Sequence, residues 1–248
     1  MENQAIKSFG ENKMKKIKIT PLLATILVST FLVSTTFADE RNNKAPNPQV
    51  LPINSQPFGQ SYAEWAEDYV RWVYSIPSDK NPFLTKNCTQ PQHGKVWFIG
   101  GGPDTSCEVP KGKAIFVPIY SYSDTYPCPE PPIFKPAPGQ SLEEFLTADA
   151  QTIVDGWGFQ KLELIIDGKP VVNGLDQRVT THLFKLTGDP SLKATLDGCV
   201  TGKKQWALAD GYWAMIVGLS SGLHTLHFES IGGTPSVKSD IHLTIEDD

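Results

Sequence analysis

Past Pro77 the large apolar residues stop recurring at intervals of three and four. They fall instead into short runs of β-branched and aromatic residues fenced by glycine and proline. Val96-Trp97-Phe98-Ile99 and Ala114-Ile115-Phe116-Val117-Pro118-Ile119 are of this kind and read as buried strands. Further on, Leu162, Leu164 and Ile166 alternate with Glu163 and Ile165, Asp167-Gly168 marks a hairpin turn, and Val171-Val172 begins the return. Residues 179–186, 206–208, 212–217, 223–229 and 239–245 complete the set. Strands at this spacing predict a domain that is mainly β with some α, an antiparallel β-sandwich with helices added.

Two helices interrupt this pattern. Ser61 and Glu64 form a capping box ahead of Tyr62, Trp65, Ala66, Tyr69, Trp72, Val73 and Ile76, which predicts an amphipathic helix over 61–76 that Pro77 ends. Ser141 and Glu144 repeat the box and predict a second helix over about 141–154, with Leu142, Phe145, Leu146 and Ile153 facing inward. Between the two, residues 126–138 carry Pro127, Pro129, Pro131, Pro132, Pro136 and Pro138, which exclude regular structure and mark a semi-rigid surface loop. Residues 39–60, rich in Asn, Gln and Pro, read as an extended arm before one globular domain over 61–248.

The start of the chain sets its compartment. Lys13, Lys15, Lys16 and Lys18 precede an apolar run over 22–33, and Thr36-Phe37-Ala38 supplies small residues where a signal peptidase cuts, so residues 1–38 read as a secretory leader. Counted from Met14 the leader has the usual length, which makes Met14 a candidate start. The apolar run is too short to span a membrane comfortably, so the mature chain is expected to be secreted or periplasmic without stable membrane insertion. Losing five lysines and two glutamates leaves 17 basic against 25 acidic residues, a net charge of −8. Such a surface repels nucleic acid.

All four cysteines, Cys88, Cys107, Cys128 and Cys199, lie in the exported part, and an even number in an oxidising setting points to two disulfides. Of the three pairings, the short loop favours Cys88 with Cys107, which leaves Cys128 to tie the middle of the chain to Cys199. Zinc is disfavoured because no two cysteines stand at the short spacing of structural zinc sites.

Each catalytic pattern lacks its context. Gly218-Leu219-Ser220-Ser221-Gly222 fits the hydrolase elbow, but that serine needs a helix behind it and residues 223–228 read as a strand, with Asp240 and His242 the sole neat partners downstream. Glu64 and Asp68 stand four apart on an exposed helix face, where paired acids are usually solvated. Gly100-Gly101-Gly102-Pro103-Asp104 lacks the lysine and the helix of a phosphate loop. His224 and His227 fall on opposite faces of a strand, and His227 with Glu229 and His242 makes a polar outer face rather than a metal site. No catalytic residue, metal or cofactor is assigned.

The helix ending in Ser75-Ile76-Pro77, then Asn81-Pro82, Gln92, Val96-Trp97-Phe98, Cys107-Glu108-Val109-Pro110, Gly112-Lys113-Ala114-Ile115-Phe116, Pro118-Ile119, Asp210-Gly211-Tyr212-Trp213 and Gly222-Leu223-His224-Thr225 resemble together a group of secreted bacterial proteins to which no activity is assigned. The likeness covers most of the chain after the leader and implies export and fold, not mechanism. Leu84-Thr85-Lys86-Asn87 stands where that group has an Asp-x-Thr-Gly turn, and Ser106 where a basic residue is frequent.

Export, two disulfides and six tryptophans favour a noncatalytic binding or interaction module, with carbohydrate or an extracellular or envelope protein as partner. The candidate contacts are Trp65, Trp72, Trp97, Tyr126 and Trp213, with Asp124 and Asp210 as polar partners. An exported hydrolase using the Ser220 region or carboxylates is the alternative. An envelope or assembly component docked through the arm is the third reading.

Overall fold

The computed structural model describes residues 48–129 and 134–247; the predicted leader and the arm as far as residue 47 lie outside them. Fourteen strands and helices follow in order: β1 (Gln49–Val50), α1 (Tyr62–Ser75), α2 (Pro82–Thr85), β2 (Val96–Phe98), β3 (Thr105–Val109), β4 (Ala114–Tyr126), α3 (Leu142–Gly156), β5 (Lys161–Ile166), β6 (Lys169–Asn173), β7 (Arg178–Thr180), β8 (Phe184–Thr187), β9 (Lys204–Val217), β10 (Gly222–Ile231) and β11 (Lys238–Ile245). They form two sheets packed as a sandwich. In the first, β9 lies between β4 and a row of short strands, β8, β7 and β1, with β2 beyond β4. The second runs β3-β11-β10-β5-β6.

The sandwich is mixed rather than purely antiparallel, because β2 runs parallel to β4 and β3 parallel to β11. Both parallel strands are short and lie at sheet edges, reached by loops rather than hairpins. The predicted split of residues 206–217 at Asp210-Gly211 is also corrected. Here β9 runs unbroken, and Gly211 is needed because a Cβ would strike the β4 backbone at Ser121. Conversely, the single strand expected over 179–186 divides into β7 and β8. Between them Thr181 stands in for a strand partner: its N–H reaches the Ala209 carbonyl at 2.8 Å and its hydroxyl accepts the Ala209 N–H at 2.9 Å.

Each sheet shows its burial in its residues. The first is covered on both faces and reads as a nearly continuous apolar run. From β9, Ala207, Ala209, Trp213 and Met215 face α1, whereas Tyr212, Ala214 and Ile216 face the second sheet. The second sheet is covered on one face, so Leu226, Phe228, Ile241 and Leu243 point in while His227, Glu229, Asp240 and His242 form the polar outer side. There His227 Nδ1 lies 2.6 Å from Asp240 Oδ1.

Helix α1 begins at the expected capping box, with Ser61 N–H donating to Glu64 Oε2 at 2.7 Å and Glu64 N–H to Ser61 Oγ at 3.3 Å. Replacing Ser61 by alanine should cost about 1 kcal/mol. The helix buries Tyr62, Ala66, Tyr69, Val70, Val73 and Tyr74, leaving Trp65 and Trp72 on its flank. Each large side chain so buried contributes about 2 kcal/mol. Helix α3 carries the second box, and its inward residues include Leu146, Ala150 and Val154. Ile153, expected to face in, is 40% exposed because it sits one position off that stripe.

The disulfides pair as expected, Cys88 with Cys107 and Cys128 with Cys199. They fit an oxidising compartment. Among the described residues no helix is long and apolar enough to cross a membrane. The described part of the arm is laid on the chain's own first sheet: β1 pairs with Val217 and Ile216 of β9, and Leu51 N–H donates to the Met215 carbonyl.

Candidate functional site

The site grows out of the way β4 meets its neighbours. After an extra residue at Ile119, β4 resumes regular pairing with β9, from Tyr120↔Tyr212 to Tyr126↔Trp206. Successive amides of a strand point to opposite edges. The carbonyls of Ala209 and Met215 point away from β4, since they accept N–H groups from Thr181 and Leu51. Leu208, Asp210 and Tyr212 therefore point toward β4, where Asp124, Tyr122 and Tyr120 meet them. Ser121, Ser123 and Thr125 are left to aim their N–H and C=O groups at the other edge. Strand β2 does not reach them, because it pairs only with Ala114, Ile115 and Phe116. No hydrogen bond among the described residues engages those amides. Pro118, just before the bulge, has its missing N–H on this same open side, the edge position where proline is tolerated.

Two depressions flank the open edge and meet at Phe83 and Ser121. The inner one, about 420 Å³, opens into the sandwich between Val117, Ile119, Tyr120, Phe228, Val237 and Ile241, with Lys238 at its rim. The outer one, about 400 Å³, lies on the α1 side, walled by Tyr69, Tyr74, Leu196, Asp197 and Ser123. Alternation along Tyr120-Ser121-Tyr122-Ser123-Asp124-Thr125 produces this division, since odd positions face α1 and even positions face the second sheet and α3.

Polar groups gather on the outer side. Asp197 Oδ2 accepts from the Tyr74 hydroxyl at 3.0 Å and from Thr125 Oγ1 at 2.9 Å, and its Oδ1 accepts Cys199 N–H at 2.8 Å. Tyr74 Oη is also 3.1 Å from Ser123 Oγ. Burial, then the Asp197 charge, pushes the Tyr74 phenol far up. Tyr69 is 2% exposed, and its hydroxyl has no partner among the described residues; a side chain at Gly100 would collide with it.

On the other face of β4, Asp124 is 5% exposed; Oδ1 accepts from the Tyr122 hydroxyl at 3.0 Å, whereas Oδ2 has no partner among the described residues. Burial first, and the nearby Asp149 charge second, push its carboxyl up to about 7.

The residues singled out from sequence do not converge. Trp213 is fully buried and stacked on Phe116 at 5.5 Å, and Trp97 is buried with its indole N–H unpartnered. Tyr126 packs near Phe134 at the end of β4. Asp210, 0% exposed, is held by Arg178 Nη2 at 2.6 Å and by Thr180 Oγ1 at 3.0 Å. Of the seven, Asp124 and Tyr126 lie on the open-edge stretch of β4, Asp124 without an ion pair among the described residues, and Trp65 and Trp72 share a separate groove of about 350 Å³ with Asp68, His93 and Lys95. In that groove Asp68 is engaged by Gln60 and Arg71, Gln92 by the Phe98 backbone, and the Trp65 indole N–H by the Pro57 carbonyl. Its polar atoms are thus largely committed to the fold.

The hydrolase elements are also rearranged. Asp240 and His242 lie on the outer face of the second sheet, away from Ser220. The neighbours of Ser220 are instead His224, with Nε2 at 3.4 Å from Oγ, and Asp167, whose Oδ2 is 2.7 Å from His224 Nδ1. A general base must offer its free nitrogen to the hydroxyl. Here Nε2 lies closer to the Ser220 carbonyl, 2.9 Å away, and a carbonyl only accepts. The histidine ties the Asp167-Gly168 turn to residue 220 rather than activating it. Glu64 is committed to its cap, where the Ser61 amide and hydroxyl hold its carboxyl below the usual range.

No protein-family model matches the chain, and comparison with curated proteins finds no match. Among solved structures, the solution structure of Amebosin aligns over 61% of this chain and 96% of its own at 8% identity, with a TM-score of 0.21, a likeness too slight to bear on fold or function.

Proposed function

We propose that this chain is an exported, noncatalytic binding module whose ligand lies along the open edge of β4. The observation that carries the reading is the pair of unengaged amides at Ser121 and Ser123, with pockets on the two faces of the strand that meet at Ser121. Strand edges are normally paired, covered or blunted, because free amides recruit other chains. This edge is blunted only at Pro118 and the bulge, and is regular beyond them. Export rests on the leader and fits the two disulfides.

A second reading places carbohydrate on Trp65 and Trp72, which share one groove as a sugar-stacking surface requires. One experiment separates the two. Amide shifts of the oxidised chain from residue 39 to 248 are followed by NMR during titration with cell-wall oligosaccharides and with short extended peptides, and each mixture is assayed for products. Saturable shifts centred on residues 121–125, without product, are expected. Shifts confined to Trp65, Trp72 and residues 91–96 would move the function to the tryptophan groove, and turnover would sink the noncatalytic assignment.

A further inference from the structure

Building on the open-edge reading, we infer that the ligand is an extended polypeptide segment added to β4 as a further strand, with a lysine or arginine entering the outer pocket at Asp197 and a neighbouring apolar side chain entering the inner pocket. The spacing of the free amides is the first argument. Ser121 and Ser123 present donors and acceptors two residues apart, about 6.8 Å, the repeat at which a polypeptide backbone offers complementary groups. Sugar hydroxyls have no such fixed alternation of donor and acceptor.

The pockets are the second argument. Successive side chains of an added strand leave it on opposite faces, and the two pockets lie on opposite faces of β4 and meet at Ser121. One strand therefore fills both with adjacent residues.

Charge decides which residue goes where. Asp197 is surrounded by neutral donors, Tyr74, Thr125 and the Cys199 amide, and forms no ion pair among the described residues. Asp124 and Asp149 add acid on the neighbouring face. The inner pocket has mostly apolar walls, and among the described residues its lining holds no carboxylate; Lys238 at its rim is 3.9 Å from Glu229, so nothing in the lining itself offers a cation a partner. The basic side chain belongs on the outer side and the apolar one on the inner side.

The reach of the partner is also bounded. At one end Pro118 and the bulge at Ile119 interrupt the edge, and at the other Thr125 is buried beneath Asp197. The segment that pairs is about four residues long, which by strand rise spans about 13 Å.

The test uses an acetylated, amidated hexapeptide of threonine and valine carrying one lysine beside one phenylalanine, titrated into the oxidised chain from residue 39 to 248 by fluorescence anisotropy and by NMR. Changing lysine to glutamate should weaken binding at least tenfold, and Asp197→Asn should abolish that discrimination while the fold, followed by near-UV circular dichroism, is kept. N-methylation of single peptide amides supplies a readout on the unmodified protein: binding should be lost at alternate positions and retained between them. Binding indifferent to methylation would overturn strand addition. Oligosaccharide, but not peptide, shifting residues 121–125 would overturn the peptide while leaving the open-edge function standing; no ligand at these residues would remove both. Self-association through this edge, seen as concentration-dependent sedimentation, would replace the peptide with a second copy of the chain.

Discussion

The two long edges of the β4–β9 pair are treated differently. Along β9 three short strands, β8, β7 and β1, follow one another so that the edge is paired almost from end to end. Along β4, β2 covers the first three residues, and no other described strand covers the remainder. The contrast extends to a buried aspartate on each strand. Asp210 of β9 is met by Arg178 from β7 and by Thr180, whereas Asp124 of β4 has one oxygen without a partner among the described residues. Closure supplies counter-charge as well as backbone pairing, and the open side goes without both. An edge that costs the fold something to leave open is where a partner gains most by adding to it.

Breaking the closed side should have the largest effect. Arg178→Ala leaves the Asp210 carboxylate buried without its cation, and such losses cost about 3 kcal/mol or more. Urea denaturation should show this as a lower midpoint with an unchanged slope. Replacing Arg178 by methionine and Asp210 by leucine together should lose far less, since no orphaned charge remains.

Next comes the acid on the open side. Asp124 is pushed up to about 7 in the folded chain, against an ordinary value of 3.8. The folded state therefore binds more protons than the unfolded state between those values, and stability is whole below about pH 4 and falls as pH rises to 7. Asp124→Asn removes the dependence. It should stabilise the chain by up to about 4 kcal/mol at pH 8 relative to its effect at pH 4. Equal effects at both pH values in denaturation curves would mean that Asp124 is compensated in a way this arrangement does not provide. Tyr62→Phe is milder. It removes the hydroxyl that joins the Leu51 carbonyl to the Met215 amide, and so loosens β1 from β9 by about 1 kcal/mol, visible as faster hydrogen exchange at Leu51.

Local chemistry was legible in the sequence, and pairing over distance was not. The capping boxes at Ser61 and Ser141 and the proline at 77 announce both long helices, because caps depend on residues three apart. The cysteine spacing announces the disulfides, and period-two alternation announces the second sheet, which has one wet face. Strand β9 was harder, since Asp210-Gly211 looks like a turn. Only the bulged β4 backbone lying against Gly211 explains the glycine inside a strand. The parallel pairs β2–β4 and β3–β11 leave no local signal. Neither does the open edge, which is defined by a strand that fails to arrive. Ser121, Ser123 and Thr125 were visible as alternating hydroxyls, but a hydroxyl face is equally common on a paired strand. The tryptophans are the largest side chains in the sequence, and size puts Trp97 and Trp213 in the core.

The smallest expected effect on stability tests the comparison most directly. On β7, Val179 has the same amide direction as Thr181, toward β9, so Val179→Pro removes a ladder hydrogen bond from the closed edge and should cost about 3 kcal/mol. On β4, Ser121 points its amide outward, so Ser121→Pro removes a donor that nothing in the described chain uses. Pro118 already occupies an outward position on the same strand. The change at Ser121 should therefore move the thermal midpoint by no more than a few degrees, equivalent to less than about 1 kcal/mol, while abolishing peptide binding at the open edge. If Ser121→Pro destabilised the chain as much as Val179→Pro, the amide of Ser121 would be holding part of the fold, and β4 would have no free edge to offer.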